Sequence, residues 1–373
     1  MDPSLVTFSP CPDYNIDSVR IALQTCLAPL GGMQRFVRPG MRVLLKPNLL
    51  TATTPERGVL THPAIVEAVG ELVKAAGGEL WIGDSPAAPL NEGYDVWQVS
   101  GMQAIAKKLG ARLLQFEGAI KKELHGHDYF IARPVLEADL VINLPKLKTH
   151  TLTLYTGAVK NLFGVITGGR KRELHVRAPG VTDFSRILVD ILELVKPQLN
   201  IMDGVLGLEG YGPGTGGTPH PYKIMAASTD AVALDSVLSR AMGFKTGEVL
   251  HLAQAESRGL GAHQPERIRI EGDHSLLEFG KLSLPRGMRL LDVPSWISKP
   301  LHGQIKLTPQ IDAAKCTGCG TCTDACPADV ITKAQPARFD LSRCIGCMCC
   351  VEVCPQSALS PKRNWLAKLV GVK

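Results

Sequence analysis

The chain lacks the features that would place it in several large classes. No apolar run approaches the ~18 residues that a membrane span requires, so none is expected. The start, Met1-Asp2-Pro3, has no basic stretch followed by an apolar one. No secretory signal is therefore expected, and a reducing cytoplasm is the expected compartment. There is no GxSxG, no HExxH and no GK[ST] of a phosphate-binding loop. One GxGxxG match, Gly212 to Gly217, is followed by Thr218-Pro219-His220-Pro221. A dinucleotide fingerprint must open a helix, so that reading is rejected.

Composition is that of a folded protein. Of 373 residues, 45% are hydrophobic and 20% charged, which argues against broad disorder, and the length suits two or three domains. The net charge of +6 is concentrated. Between Lys146 and Arg177 seven basic residues meet one acid, Glu173, a surplus equal to that of the whole chain. Such a patch points to an anionic ligand or partner and not to nucleic acid, which needs a basic stripe with reading elements. A solvated basic loop is the alternative.

Nine of the eleven cysteines lie between Cys316 and Cys354. Cys316, Cys319, Cys322 and Cys326 follow a C-x2-C-x2-C-x3-C spacing and precede Pro327; Cys344, Cys347, Cys350 and Cys354 repeat it before Pro355. Three thiolates at x2 intervals curl around one face of a 4Fe–4S cubane, and the fourth reaches across to the other cluster. One cluster is then expected on Cys316, Cys319, Cys322 and Cys354, and the other on Cys344, Cys347, Cys350 and Cys326. Zinc sites pair CxxC units across longer gaps and often add histidine, which neither run contains. Disulfides need an oxidising compartment. Cys349 is a surplus thiol, either a packed bystander or a local reductant. Cys11 and Cys26 read as small buried hydrophobes.

Residues 1–280 alternate apolar, β-rich runs with helical patterns. Strands are expected at Arg42–Lys46, Glu79–Ile82, Leu140–Leu144, Leu199–Met202 and Lys223–Ala227, with a late edge strand at Arg267–Glu271. Helices are expected after Thr61-His62-Pro63 (threonine as cap, ending at Gly77), from Thr182 to Pro197, and after Thr229-Asp230 and Thr246-Gly247. Strands without polar alternation, each followed by a helix, predict an α/β fold: a mainly parallel sheet with helices on both faces. Prolines punctuate 281–303, read as a linker. Residues 304–360 are expected to form a small α+β unit like a bacterial ferredoxin, with its clusters as cross-links. Residues 361–373 are expected to form a basic amphipathic tail that docks on the parent domain, the alternative being membrane contact, for which it is short and weakly charged.

In open α/β sheets, ligands bind beyond the carboxyl ends of the strands. The strands here lead into Lys46-Pro47-Asn48, Gly83-Asp84-Ser85, Asn143 through Lys146, Lys148 and His150, and Asp203-Gly204. Lysine caps nothing at a helix start, so Lys46, Asn48, Asn143, Lys146, Lys148 and Lys160 are the candidate substrate-binding groups. Asp84, His150 and Asp203 are the candidate catalytic groups. Asp203 and Ser85 serve equally well as turn residues. His62 and His175 have no sequence partner that would identify them as acid–base groups. His125-Gly126-His127 reads as a solvated loop. The seven glycines from Gly204 to Gly217 allow close approach to a ligand or simple mobility.

With these residues in hand, the chain resembles the domain of unknown function 362 family joined to a two-cluster bacterial ferredoxin domain. The resemblance is carried by Lys46-Pro-Asn48, Thr61-His-Pro63, Gly83-Asp-Ser85, Asn143 to His150, Lys160-Asn-Leu-Phe-Gly164 and Asp203 to Gly217, with both cysteine quartets. It implies an iron–sulfur protein of bacterial or archaeal cytoplasm and no named substrate. The doubled cysteine at 349–350 departs from the usual ferredoxin pattern.

The first expectation is an iron–sulfur oxidoreductase relaying single electrons to a small anionic substrate or cofactor, with a redox protein as donor or acceptor. Alternatives are a non-catalytic electron carrier or redox sensor that docks through the large domain, and a metallocentre assembly factor.

Overall fold

The computed structural model describes residues 2–86, 95–178, 180–285 and 307–363. The expected linker lies mostly outside the described residues, and the expected tail lies outside them from residue 364 onward.

The chain opens with β1 (Ser4–Pro10) and α1 (Ile16–Leu27). Next come β2 (Arg42–Pro47), α2 (Pro63–Ala75) and β3 (Glu79–Asp84). Helices α3 (Val96–Val99) and α4 (Met102–Leu109) lead to β4 (Arg112–Gln115). A hairpin of β5 (Ala119–Leu124) and β6 (His127–Ala132) then precedes α5 (Arg133–Glu137) and β7 (Leu140–Leu144). After Pro145 come β8 (Lys146–His150), β9 (Leu154–Thr156), α6 (Ala158–Asn161), α7 (Arg170–Arg177) and α8 (Val181–Val195). The large domain closes with β10 (Leu199–Gly210), β11 (Gly217–His220), β12 (Ile224–Ser228), α9 (Ala231–Ala241), α10 (Leu250–Ser257) and β13 (Ile268–Glu271).

The main sheet runs β13-β1-β12-β10-β7-β2-β3-β4. Five of its seven neighbour pairs are parallel; β12 is antiparallel to both β1 and β10. Side chains alternate between two cores. Val43, Leu45, Leu140, Ile142, Leu199 and Ile201 pack with α1 and α2, whereas Leu44, Val141 and Met202 pack with α6, α8 and α9. Burial on both faces explains strands with no polar alternation.

Helix starts follow local chemistry. Asp230 accepts from the amides of Val232 and Ala233, both at 2.9 Å, and caps α9. The cap of α2 is His62, whose Nδ1 accepts from Ala64 N, and not the expected Thr61. Thr61 Oγ1 is committed elsewhere: it donates to Leu144 O and accepts from Asn48 N, tying the ends of β2 and β7 together.

The principal departure is at 146–150. The sequence suggested a segment projecting beyond β7, but these residues form β8, buried at every position and paired in parallel with β10. A tertiary pairing overrides local polarity here, since each lysine meets partners distant in sequence.

The small domain begins with β14 (Leu307–Ile311) and contains β15 (Ile331–Thr332) and β16 (Arg338–Phe339). It ends with β17 (Leu359–Arg363), antiparallel to β14. Its core is ten buried residues, three of them the cysteines 326, 350 and 354. So small a core gains much from covalent or metal cross-links.

Candidate functional site between the two domains

The site starts with an ion pair at the ends of β2 and β3. Lys46 Nζ lies 2.9 Å from Asp84 Oδ1, and both groups are almost fully buried. Asp84 also accepts from the amides of Leu49 and Ser85, each at 2.8 Å, so one carboxylate fixes the loops after two neighbouring strands. Burial pushes the Lys46 amine below its ordinary value, and Asp84 pulls it partly back. Gly164 packs directly against the pair. A Cβ there would come within 2.2 Å of Asp84 Oδ1, so no larger residue fits without displacing it.

A chain of amides extends from this pair. Lys148 Nζ donates to Asn48 Oδ1 at 2.8 Å, Asn48 donates to Asn161 at 2.9 Å, Asn161 to Asn143 at 2.8 Å and Asn143 to Asn200 at 2.9 Å. Every buried polar group in this chain thereby finds a partner, as its burial demands.

Lys146 belongs to another cluster. Its Nζ lies 2.8 Å from Asp203 Oδ2 and 2.7 Å from Tyr14 Oη, with the His62 ring stacked on Tyr14 at 3.6 Å. Burial pushes His62 down to about 4. None of Tyr14, His62, Lys146 or Asp203 borders the cavity described next. The basic segment is thus not a solvated loop: Lys146 and Lys148 sit on a buried strand, Arg170 pairs with Glu173, and Arg172 pairs with Asp329 of the small domain.

The cavity, about 340 Å³, lies between the domains. Asn48, Asp84, Lys160, Asn161, Lys171, Arg172 and His175 line it from the large domain; Asp324, Cys349, Glu352 and Val353 line it from the small one. Lys171 donates to Ser85 O, and burial lowers its amine to about 8. His175 stacks on Phe184 and meets Phe163 edge-on, leaving its buried Nδ1 without a partner. Of the sequence candidates, the structure brings Asn48, Asp84 and Lys160 to the cavity wall. Lys46, Asn143 and Lys148 stand behind it, in contact with Asp84, Asn161 and Asn48.

His150 joins the domains. Its Nδ1 accepts from the amides of Leu152 and Thr153, which places the proton on Nε2, 3.1 Å from Glu352 Oε1. Burial lowers the imidazole to about 4. Burial alone would raise the Glu352 carboxyl; His150 and Lys160 outweigh it and hold the group at about 2. The backbone meets as closely: a Cβ on Gly214 would come within 2.1 Å of Glu352 O. Thr215 Oγ1 donates to Cys354 O, and Thr51 Oγ1 donates to Val353 O at 3.3 Å. The glycine-rich loop therefore docks the small domain.

Sequence reasoning missed Glu352 outright; it counted Lys171 and Arg172 only within the basic patch and named Asn161 only within the segment Lys160 to Gly164. The only signal for Glu352 was a lone acid between two cysteines of one run.

In the small domain, Cys316, Cys319, Cys322 and Cys354 line one void, and Cys326, Cys344, Cys347 and Cys350 line a second. Among the described residues, no three metal-binding side chains converge as they would around one ion. Four thiols facing across a void suit a cubane better than a single zinc, whose sulfurs lie at ~2.3 Å. Burial and the neighbouring Cys354 and Cys319 raise the Cys322 thiol to about 11, a crowding that iron would relieve. Cys349 borders the inter-domain cavity, and its buried thiol also meets that of Cys347.

Comparison with known proteins agrees with this division. Residues 308–355 match a 4Fe-4S dicluster domain, which makes the chain an iron–sulfur protein. Thylakoid-associated protein sll1697 of Synechocystis sp. is 39% identical over 251 residues, covering 66% of this chain and 77% of the relative. The lactate racemase apoprotein of Thermoanaerobacterium thermosaccharolyticum aligns at 12% identity and a TM-score of 0.39, over 63% of this chain and 58% of that structure. Residues 43–240 match the domain of unknown function DUF362, and with these matches the chain belongs to that family.

Proposed function

We propose that this protein is an iron–sulfur oxidoreductase whose clusters pass single electrons to a small anionic substrate in the inter-domain cavity. Two 4Fe–4S clusters would be held by Cys316, Cys319, Cys322 and Cys354, and by Cys344, Cys347, Cys350 and Cys326. They supply one-electron reduction and oxidation when bound.

One observation carries the reading. The turn Cys349–Val353 is at once a wall of the cavity and the segment that bears the cluster ligand Cys350 and precedes Cys354. An acceptor in the cavity would be separated from the cluster ligands by a single layer of side chains. Lys160, Lys171 and Arg172 offer an anion cationic partners beside the wall carboxylates Asp84, Asp324 and Glu352. Asp84 and Asn161 shape the wall, Lys46, Asn143 and Lys148 hold it, and His150 fixes the helix through Glu352. Lys146 and Asp203 keep β8 and β10 in register. The proposed compartment is cytoplasmic, with a redox protein as electron donor. Among the described residues, no helix is long and apolar enough to cross a membrane.

The test is reoxidation of the reduced protein, followed by the visible absorbance of its clusters. Small anions that carry a reducible group, such as nitrite, 2-oxo acids and ene-carboxylates, serve as candidate acceptors. An acceptor that reoxidises the native protein, and does so more slowly in Lys160→Gln, supports the cavity. If every acceptor works equally well on Lys160→Gln and on a variant with its domains undocked, the large domain is a docking module and the protein a carrier.

A further inference from the structure

Five lysines near the strand ends are largely buried, and four of them donate to fixed acceptors. Lys46 donates to Asp84 and Pro47 O, Lys146 to Asp203 and Tyr14, Lys148 to Asn48 and Val59 O, and Lys171 to Ser85 O. Lys160 is the exception. It lines the inter-domain cavity, partly exposed there, and its amine has no hydrogen bond or ion pair among the described residues.

The backbone that carries Lys160 is held on both sides. The amides of Ala158 and Val159 donate to Asp235 at 2.7 and 2.9 Å, and the side chain of Asn161 is engaged by Asn48 and Asn143. A solvated lysine needs no such mount, whereas a group that must meet a ligand at one position does. Glu352 attracts the amine at longer range, but burial outweighs that attraction and lowers it below its ordinary value. A desolvated lysine keeps more of the neutral amine, the form that attacks a carbonyl.

The rest of the wall limits what the amine can meet. Asp84 is engaged by Lys46 and two backbone amides, and Glu352 by His150. Lys171 keeps two N–H groups beyond the one given to Ser85 O, and Arg172 pairs with Asp329 through one nitrogen. These two can receive one carboxylate. Asp324, exposed on the same wall, and Glu352 disfavour a ligand of higher negative charge. The volume, about 340 Å³, suits a small molecule.

From this arrangement we infer that Lys160 is a nucleophilic amine that condenses with the carbonyl carbon of a small 2-oxo acid bearing one carboxylate. The inference rests on the cavity being the substrate site and names the substrate class. Lys160 Nζ, after releasing a proton, bonds to the carbonyl carbon as the C=O double bond opens onto oxygen. The C–O bond then breaks as C=N forms, and two of the three ammonium protons leave with the oxygen as water. Protonated amine and carbonyl thus give protonated imine and water, with no oxidant or reductant consumed. The protonated imine is a better electron acceptor than the carbonyl it replaces.

The full-length protein with its clusters, prepared without oxygen, is incubated with glyoxylate, pyruvate or 2-oxobutanoate and then with cyanoborohydride. Peptide mass mapping should find one reduced adduct per chain, on Lys160, with at least one of the three acids. Lys171→Gln should slow its formation about tenfold, the loss of one charge contact to the carboxylate. Lys160→Arg keeps the charge but cannot condense. Calorimetry should find the acid bound within about threefold of the native affinity, while reoxidation of the reduced variant by that acid falls at least about tenfold. Reoxidation of Lys160→Arg at the native rate makes Lys160 a charge contact and overturns the inference, with the cavity reading intact. An adduct on Lys171 or on surface lysines in place of Lys160 also overturns it. If no acid labels Lys160 while nitrite or an ene-carboxylate reoxidises the native protein faster than Lys160→Gln, the inference falls and the cavity reading stands. If no acid labels Lys160 and no acceptor depends on it, both fall.

Discussion

His150 Nε2 faces Glu352 Oε1 across 3.1 Å, so a strand of the sheet and a turn bearing cluster cysteines share one buried contact. Movement of one domain away from the other breaks it and leaves a largely buried carboxylate without a facing N–H. The orientation of the small domain is therefore specified by a polar pair as well as by shape.

Gly214→Ala tests that docking. The added methyl would meet Glu352 O at 2.1 Å, and backbone cannot yield as a flexible side chain does. A loss of about 1–3 kcal/mol in stability is expected, as for other overpacked sites. Iron content should not change, because every proposed cluster ligand lies in the small domain. Thermal melts beside iron assays check both halves of the expectation.

The anaerobically purified protein should carry about eight iron and eight sulfide. Cys319→Ala should lose one cluster and keep the other, while Cys349→Ala should lose neither. Stoichiometric zinc with no iron would rule out a redox role for the small domain.

Removing Lys146 should damage the fold rather than a binding constant. Lys146→Ala leaves the buried Asp203 without its counterion, at an expected cost of about 3–5 kcal/mol. Lys146→Met with Asp203→Leu should recover much of that loss, since neither charge then remains. Urea unfolding of the two single variants and the double variant gives the coupling directly. Lys160→Gln, by contrast, should alter anion binding with little effect on stability.

Acid should weaken the protein from about pH 6.5 downward. Burial holds His150 and His175 at about 4 and His251 at about 3, below their ordinary 6.5. The unfolded chain takes up protons that these folded imidazoles refuse. Stability present above the unfolded value is thus lost as pH falls toward the folded one. At full effect each histidine contributes a slope of about 1.4 kcal/mol per pH unit. Denaturant midpoints at pH 7 and pH 5 measure this; equal midpoints would show that the imidazoles are not held neutral.

How much was legible follows from which interactions are local. The cysteine quartets are a matter of spacing, and the spacing alone grouped the thiols that the structure brings together. Leu140–Leu144 was readable because its buried run is continuous. Lys146–His150 was not, because a strand of alternating lysines is stable only with Asp203 and Asn48 in place, 57 and 100 residues away. Thr61 looked like a helix cap by type, but its hydroxyl joins two strand ends, which only the sheet order reveals. The surplus of Cys349 was visible; the direction it faces was set by docking.

The pairing of β14 with β17 has an architectural consequence. Leu307 stands opposite Arg363, so the incoming and outgoing threads of the small domain leave side by side. A module closed at its own neck can be gained, lost or moved within a gene without re-routing the chain that hosts it. Its place against the sheet is held by the Gly214 loop and His150. The iron–sulfur unit is a cartridge, and the large domain is the socket cut to receive it.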